Sequence, residues 1–150
     1  NLRFEGDYYH LRGIHSGPLP AHDISIWIGA GGPRSLRQTG RIADGWVSSI
    51  RPDAVHKLPE MNARVDEGAA EAGREPSAVR RIFNVSGVVT DGRTDGFLRG
   101  PADQWADELA GLVVDHRAGT LVFWAGEGDE REQRRRFAEM VVPTTRKLVG

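Results

Sequence analysis

Apolar residues along this chain follow two alternating rhythms. Short runs rich in β-branched and aromatic residues, at Ile24–Ile28, Trp46–Ser49, Ile82–Val89 and Leu121–Trp124, alternate with longer stretches in which apolar positions fall three or four apart. The short runs predict strands and the longer stretches predict amphipathic helices. The first helix spans Arg34 to Ile42. The second spans roughly Asp53 to Ala72, with Val55, Leu58, Met61, Val65 and Ala69 on one face and Gly73 placed to stop it. The third follows Gly100 and Pro101 and sets Trp105, Leu109, Leu112 and Val113 against Asp103, Asp107 and Glu108. The last runs from about Asp129 to Val142, ahead of Pro143. Before these four strand–helix units lies Phe4 to Ile14, where Tyr8, Tyr9 and Leu11 stand amid Gly6, Asp7 and Gly13. It reads as a short hairpin or arm, which divides the chain into an arm over 1–22 and an α/β unit over 23–150.

Strict alternation of strands and helices calls for a parallel sheet covered by helices. An open doubly wound sheet and half of a (β/α)8 barrel both accept the pattern. A complete barrel takes about 250 residues, so a chain of 150 residues holds only part of one.

Composition narrows the function classes. With 39% hydrophobic and 27% charged residues the chain reads as an ordinary globular domain. Its net charge of −1 supplies no field to gather nucleic acid or an anionic membrane, so neither is an expected partner. The basic run Arg134–Arg136 stands among Glu130, Glu132 and Glu139, as a solvated helix face would. The absence of cysteine removes disulfides, thiolate catalysis and Cys-based metal sites, and fits cytoplasmic residence. No apolar stretch approaches the roughly 20 residues of a membrane span. The chain opens on Asn1 rather than Met, which suggests a piece of a longer polypeptide.

The richest motif is Asp23-Ile-Ser-Ile-Trp-Ile-Gly29-Ala30-Gly31-Gly32-Pro33-Arg34. A strand delivers the diglycine to a helix start, where Pro33 suits the first turn. Free backbone N–H groups then meet the positive end of the helix dipole, an arrangement that receives a phosphate. A plain glycine turn reversing strand into helix fits the same residues. The loop Ser48-Ser49-Ile50-Arg51 offers hydroxyls and a guanidinium that would complete such a site. Equally, it is a helix-entry loop whose serines satisfy local backbone while Asp53 caps the helix. His10, His15, His22, His56 and His116 are scattered without metal-ligand spacing, so no metal is expected. No Gly-x-Ser-x-Gly elbow or Walker loop is present.

The run from Ile26 to Val47, IWIGAGGPRSLRQTGRIADGWV, closely resembles the luciferase-like monooxygenase family, as do Glu71-Ala-Gly-Arg-Glu-Pro76 and Phe137-Ala-Glu-Met-Val-Val-Pro143. The resemblance extends from about Phe4 to Lys147. It implies the C-terminal half of a (β/α)8 barrel, with the four strands as strands five to eight. It further implies oxidoreduction of a small organic substrate with FMN or coenzyme F420, by oxygen insertion in some members and hydride movement in others. The usual catalytic histidine and many contacts to the flavin ring would lie in the other half, so no catalytic residue is assigned here.

In such a barrel, chemistry gathers where strands end and helices begin. That places Gly29, Ala30, Gly31, Gly32 and Arg34, with Ser48, Ser49 and Arg51, on the chemical face as the cofactor-phosphate set. Ala43-Asp44-Gly45-Trp46 then falls on the opposite, stability face, with Asp44 as a turn former and Gly45 supplying a positive φ. The loop 90–96 reads as mobile surface, with substrate gating as the lesser alternative. The loop 125–129 is acidic and ends in Asp129 as a helix cap. Asn84 and Ser86 alternate with Phe83 and Val85 and so point to the barrel interior. Trp27 and Trp124 are expected near the chemical face. A half-barrel leaves open edges, which predicts pairing with a second copy or with the missing half. A non-catalytic phosphate-binding or assembly module, and an unrelated open-sheet enzyme, are the competing readings.

Overall fold

The computed structural model describes residues 2–15 and 17–150. The expected arm is a hairpin of β1 (Leu2–Glu5) and β2 (His10–Ile14), paired antiparallel, with Phe4, Tyr8 and Tyr9 exposed. The α/β unit follows as β3 (Trp27–Gly29), α1 (Pro33–Ile42), β4 (Gly45–Ile50), a 3-10 turn over Pro52–Lys57, α2 (Leu58–Glu71) and β5 (Arg80–Val89). It continues as β6 (Arg99–Gly100), α3 (Ala102–Val114), β7 (Ala118–Ala125), α4 (Glu130–Arg136), a π turn over Phe137–Val141 and α5 (Val142–Val149).

The main sheet is parallel and runs β3-β4-β5-β7, each long strand beside the next one in the chain. The two-residue β6 pairs only with Val88 and Val89 at the end of β5. A doubly wound sheet reverses its order part-way and buries both faces; this one does neither. Register brings Trp46, Phe83 and Val85 to one face, where they join Leu36, Val65, Leu109 and Val141 from the helices in a single core. On the other face Ser49, Ser86 and Trp124 are exposed, Trp124 at 57%. Helices cover one face and the other is bare, the form of a half-barrel.

Helices α1 and α2 cross at glycine. A Cβ on Gly40 would overlap the Val65 carbonyl, and one on Gly68 would overlap the Arg37 carbonyl. Each backbone therefore rests directly on the other, and no larger residue fits without separating the helices. Gly73 stops α2 as expected: at φ +68 it takes the left-handed conformation, its N–H bonds the Ala70 carbonyl, and the Arg74 N–H bonds that of Ala69.

Several boundaries differ from the sequence expectation. The strand expected at Ile24 begins at Trp27, because Asp44 occupies Ile26 on both sides. The Ile26 N–H donates to the Asp44 carboxylate at 2.8 Å, and the Ile26 carbonyl accepts from the Asp44 N–H at 2.8 Å. The long helix expected from Asp53 to Ala72 is a 3-10 turn followed by α2, which starts where Pro59 stands in a first turn that needs no N–H from it. The last helix does not end before Pro143 but continues through it to Val149. A proline inside a helix removes one bond and crowds the carbonyl four residues back. The π turn absorbs this, with the Val142 N–H reaching back five residues to the Phe137 carbonyl.

Gly68→Ala tests the helix crossing. Overpacking of this kind costs about 1–3 kcal/mol, which for a domain of this size lowers Tm by roughly 2–12 °C. Thermal unfolding by circular dichroism measures it, and an unchanged Tm would show that the helices do not touch at this point.

Candidate functional site

The strand β3 ends at Gly29, and Ala30, Gly31 and Gly32 lead into α1 with Pro33 in its first turn. Gly32 is the N-cap, in an extended conformation at φ −88 and ψ 155, and no side chain caps the helix. The Ser35 hydroxyl instead donates back to the Gly32 carbonyl at 2.9 Å. Among the described residues no hydrogen bond occupies the N–H of Gly31, Gly32, Arg34 or Ser35. A Cβ on Gly31 would meet nothing within 4 Å, and one on Gly32 only the Ser35 hydroxyl at 3.6 Å. The helix end thus faces open space, with the positive pole of its dipole and no acidic residue in its first turn. Neither glycine has positive φ; what they supply is room.

The loop is held from behind. Trp46, fully buried, donates its indole N–H to the Ala30 carbonyl at 2.9 Å and meets Phe83 edge-on at 5.6 Å. The tryptophan of the signature, at the amino end of β4, therefore fixes the loop at the carboxyl end of β3.

Ser48, Ser49 and Arg51 stand at the end of the neighbouring strand, but they do not converge as expected. Ser48 registers with Phe83 and Ser49 with Asn84, so their side chains leave the sheet on opposite faces. Ser49 faces the bare side, where its hydroxyl accepts from the Asn84 amide at 3.4 Å. The Arg51 guanidinium lies on Asp53, at 3.2 and 3.3 Å, so Asp53 is an ion-pair partner and not the helix cap. Arg34 is exposed and makes no hydrogen bond or ion pair among the described residues.

The loop 90–96 is tied down rather than loose. The Gln104 amide donates to the carbonyls of Thr94, Gly96 and Arg99, and the Leu98 N–H donates to Glu108 at 2.6 Å. Arg99 reaches Glu127 of the next loop at 2.9 Å and holds that carboxyl below its usual range. Together the two loops border a cavity of about 640 Å³ at the carboxyl end of the sheet, where Ser86, Phe97 and Arg99 are exposed to it. Asp129 caps α4 as expected, accepting from the Glu132 N–H at 2.8 Å.

At the amino end of the strands, Asp44 is the turn former that the sequence indicated. Gly45 differs: it lacks a positive φ, and its missing Cβ makes way for Ile82 and Trp27, which would otherwise stand 2.7 and 2.8 Å from it. Trp27 pairs with Gly45 and lines a cleft with Asp44, so it belongs to this end rather than to the chemical face. Trp124 lies near the carboxyl end of β7 and donates to the Asn84 side chain at 3.2 Å. Sequence reading missed the buried Arg81, which donates to Asn62 at 2.9 Å and to Asp66. Nothing in the local pattern of a strand signals such a residue. Among the described residues no group of side chains could hold a metal, and no helix is long and apolar enough to cross a membrane.

The sequence profile described as luciferase-like monooxygenase matches residues 1–96, and with it β1 through β5 and the whole of the diglycine loop. The chain belongs to the luciferase-like monooxygenase family. Its relatives include F420-dependent glucose-6-phosphate dehydrogenases from Gordonia bronchialis, 31% identical over 84 residues, and from Mycolicibacterium gilvum, 35% identical over 86. Those alignments take in 56% and 55% of this chain but only 25% and 24% of the relatives. Among solved structures, an F420-dependent secondary alcohol dehydrogenase with an F420–acetone adduct matches with a TM-score of 0.76 at 14% identity, over 96% of this chain and 56% of that one. A riboflavin lyase with modified FMN matches at 0.75 and 12%, over 97% and 48%. The likeness to these structures is one of fold, and this luciferase-like chain spans about half of each.

Trp46→Phe tests the anchor behind the loop. It leaves the Ala30 carbonyl without its partner, a loss of about 1–3 kcal/mol when the group is buried. Amide hydrogen exchange at Leu36, whose N–H donates to the Gly32 carbonyl at 2.9 Å, should accelerate by about tenfold while β5 stays protected. Uniform acceleration across the sheet would mean that the tryptophan serves only the core.

Proposed function

We propose that this chain is the C-terminal half, strands five to eight, of a barrel that carries out F420- or FMN-dependent oxidoreduction of a small organic substrate. The chain supplies the cofactor-phosphate side. Gly31 and Gly32 present the open end of α1 to the phosphate, with Gly29 and Ala30 shaping the approach and Arg34 adding charge. Ser49 and Arg51 border the same end of the sheet, Arg51 by leaving Asp53 for the anion. Ser48 takes part only through its backbone.

The observation that carries this reading is a rigidly held, uncapped helix terminus opening onto free space at the chemical end of the sheet. The names of the relatives support the cofactor class. A bound flavin or deazaflavin supplies the redox chemistry itself, and the protein supplies orientation, anchorage and exclusion of water. Here the backbone donors hold the phosphate, and the bare face with Trp124, Asn84 and Ser49 forms part of the lumen wall. The proposal includes closure of that lumen by the other four strand–helix units or by a second copy, since exposed sheet edges and apolar lumen residues otherwise invite association.

Two variants in the barrel-completed protein test the site. Gly32→Val fits the observed backbone, so it should fold normally yet weaken F420 or FMN binding more than tenfold, or about 1.4 kcal/mol. Asp44→Ala should lower Tm and leave cofactor affinity nearly unchanged. Fluorescence titration and thermal unfolding read the two effects. The reverse pattern would show the faces to be assigned the wrong way round, and binding of neither cofactor would refute the proposal. Light scattering of the chain alone should show association at micromolar concentrations, and a monodisperse monomer would count against closure.

A further inference from the structure

The amino end of the sheet, remote from the diglycine loop, gathers positive charge that the fold offsets only in part. Arg80 and Arg81 open β5, Arg117 lies in the turn before β7, and the pairing of Arg81 with Ala118 sets the two starts side by side. Arg81 is 3% exposed and its donors are taken by Asn62, Asp66 and the carbonyls of Pro76 and Val79. The second oxygen of Asp66 accepts from Arg117 at 2.8 Å. One carboxylate thus serves two guanidinium groups, and the guanidinium of Arg80, whose backbone N–H bonds the Asp44 carbonyl, has no ion-pair or hydrogen-bond partner among the described residues. Burial pulls Arg81 below its ordinary pKa, Asp66 draws it back, and Arg117 pushes it down again, as expected of an undercompensated cluster.

Two further features direct this charge to one place. Arg117 is one of the few non-glycine residues with positive φ, at 62, a conformation held against its local preference. A cavity of about 360 Å³ opens between the two strand starts, lined by Ser77, Arg80, Arg81, Arg117 and Gly119 and by no acidic side chain. Gly119 leaves its floor low, with the stem of Arg80 alongside.

We propose that this cavity is a second anion site, for a compact dianion of the phosphate-monoester type, bound by Arg80 and Arg117 with the Ser77 hydroxyl. Arg81 forms the rigid wall behind it. Guanidinium groups match phosphate oxygens in paired hydrogen bonds, and a dianion balances the two positive charges that Asp66 leaves over. The site lies at the opposite ends of the strands from the diglycine loop and does not depend on the cofactor reading.

The test is a titration of the isotopically labelled chain with inorganic phosphate at neutral pH, followed by amide resonances, with sodium chloride at matched ionic strength as control. Saturable shifts are expected at Ser77–Arg80 and Arg117–Gly119, separate from any at Gly31 and Gly32. Arg80→Gln, which removes no contact seen in the fold, should weaken the first set at least fivefold and spare the second. Ser77→Ala should weaken it less. Amides at Ser77–Arg80 that do not move, that move equally with chloride, or that respond unchanged in Arg80→Gln would each overturn the proposal.

Discussion

A parallel sheet must be covered on both faces, and in this chain helices cover only one. Most of what distinguishes the molecule follows from that imbalance. The helix-side face carries the large buried residues, Trp46, Phe83 and Val85. The bare face instead carries a short lateral chain of hydrogen bonds, from Trp124 to Asn84 and from Asn84 to Ser49, across three strands. These side chains satisfy one another along the wall rather than through a second layer. Such a face suits a lumen, where polar groups line a cavity and the remaining wall is supplied from beyond the edges of the sheet.

The two ends of the strands divide the work. At the carboxyl end the backbone is left open, with an uncapped helix and a loop fixed from behind by Trp46. At the amino end the backbone is closed, with Asp44 gripping Ile26 on both sides and Arg81 spending its donors on Asn62, Asp66 and two carbonyls. The backbone donors are thus left free at the carboxyl end and largely taken at the amino end, where the unspent donors belong to side chains.

The alternation of strands and helices was legible in the sequence because it rests on local periodicity: the apolar face of α2, the β-branched run of β5 and the stop at Gly73 all hold. The diglycine loop was legible as a place, since strand, glycines and Pro33 are consecutive. Its room for a ligand depends instead on what stands near Gly31 and Gly32, and its rigidity on Trp46, sixteen residues away. The convergence of Ser48 with Ser49 failed because neighbouring residues on a strand face opposite ways. The glycine crossing of α1 and α2 and the buried Arg81 arise from contacts between distant segments, and local pattern carries no trace of them. Gly45 was identified as necessary for the wrong reason: the constraint is the nearness of Trp27 and Ile82, not a backbone angle.

One side chain in α4 acts as a piece of strand. The Gln133 amide accepts from the Val89 N–H at 2.7 Å and donates to the Val89 carbonyl at 3.2 Å, completing both backbone groups of a residue at the tip of β5. A side chain in that role turns the segment from Asp129 to Gln133 into a ruler. One residue more or fewer between the helix start and Gln133 would rotate the amide by about 100° around the helix and strand both groups of Val89. The first turn of α4 can therefore vary in chemistry but not in length, which confines change between Asp129 and Gln133 to substitution.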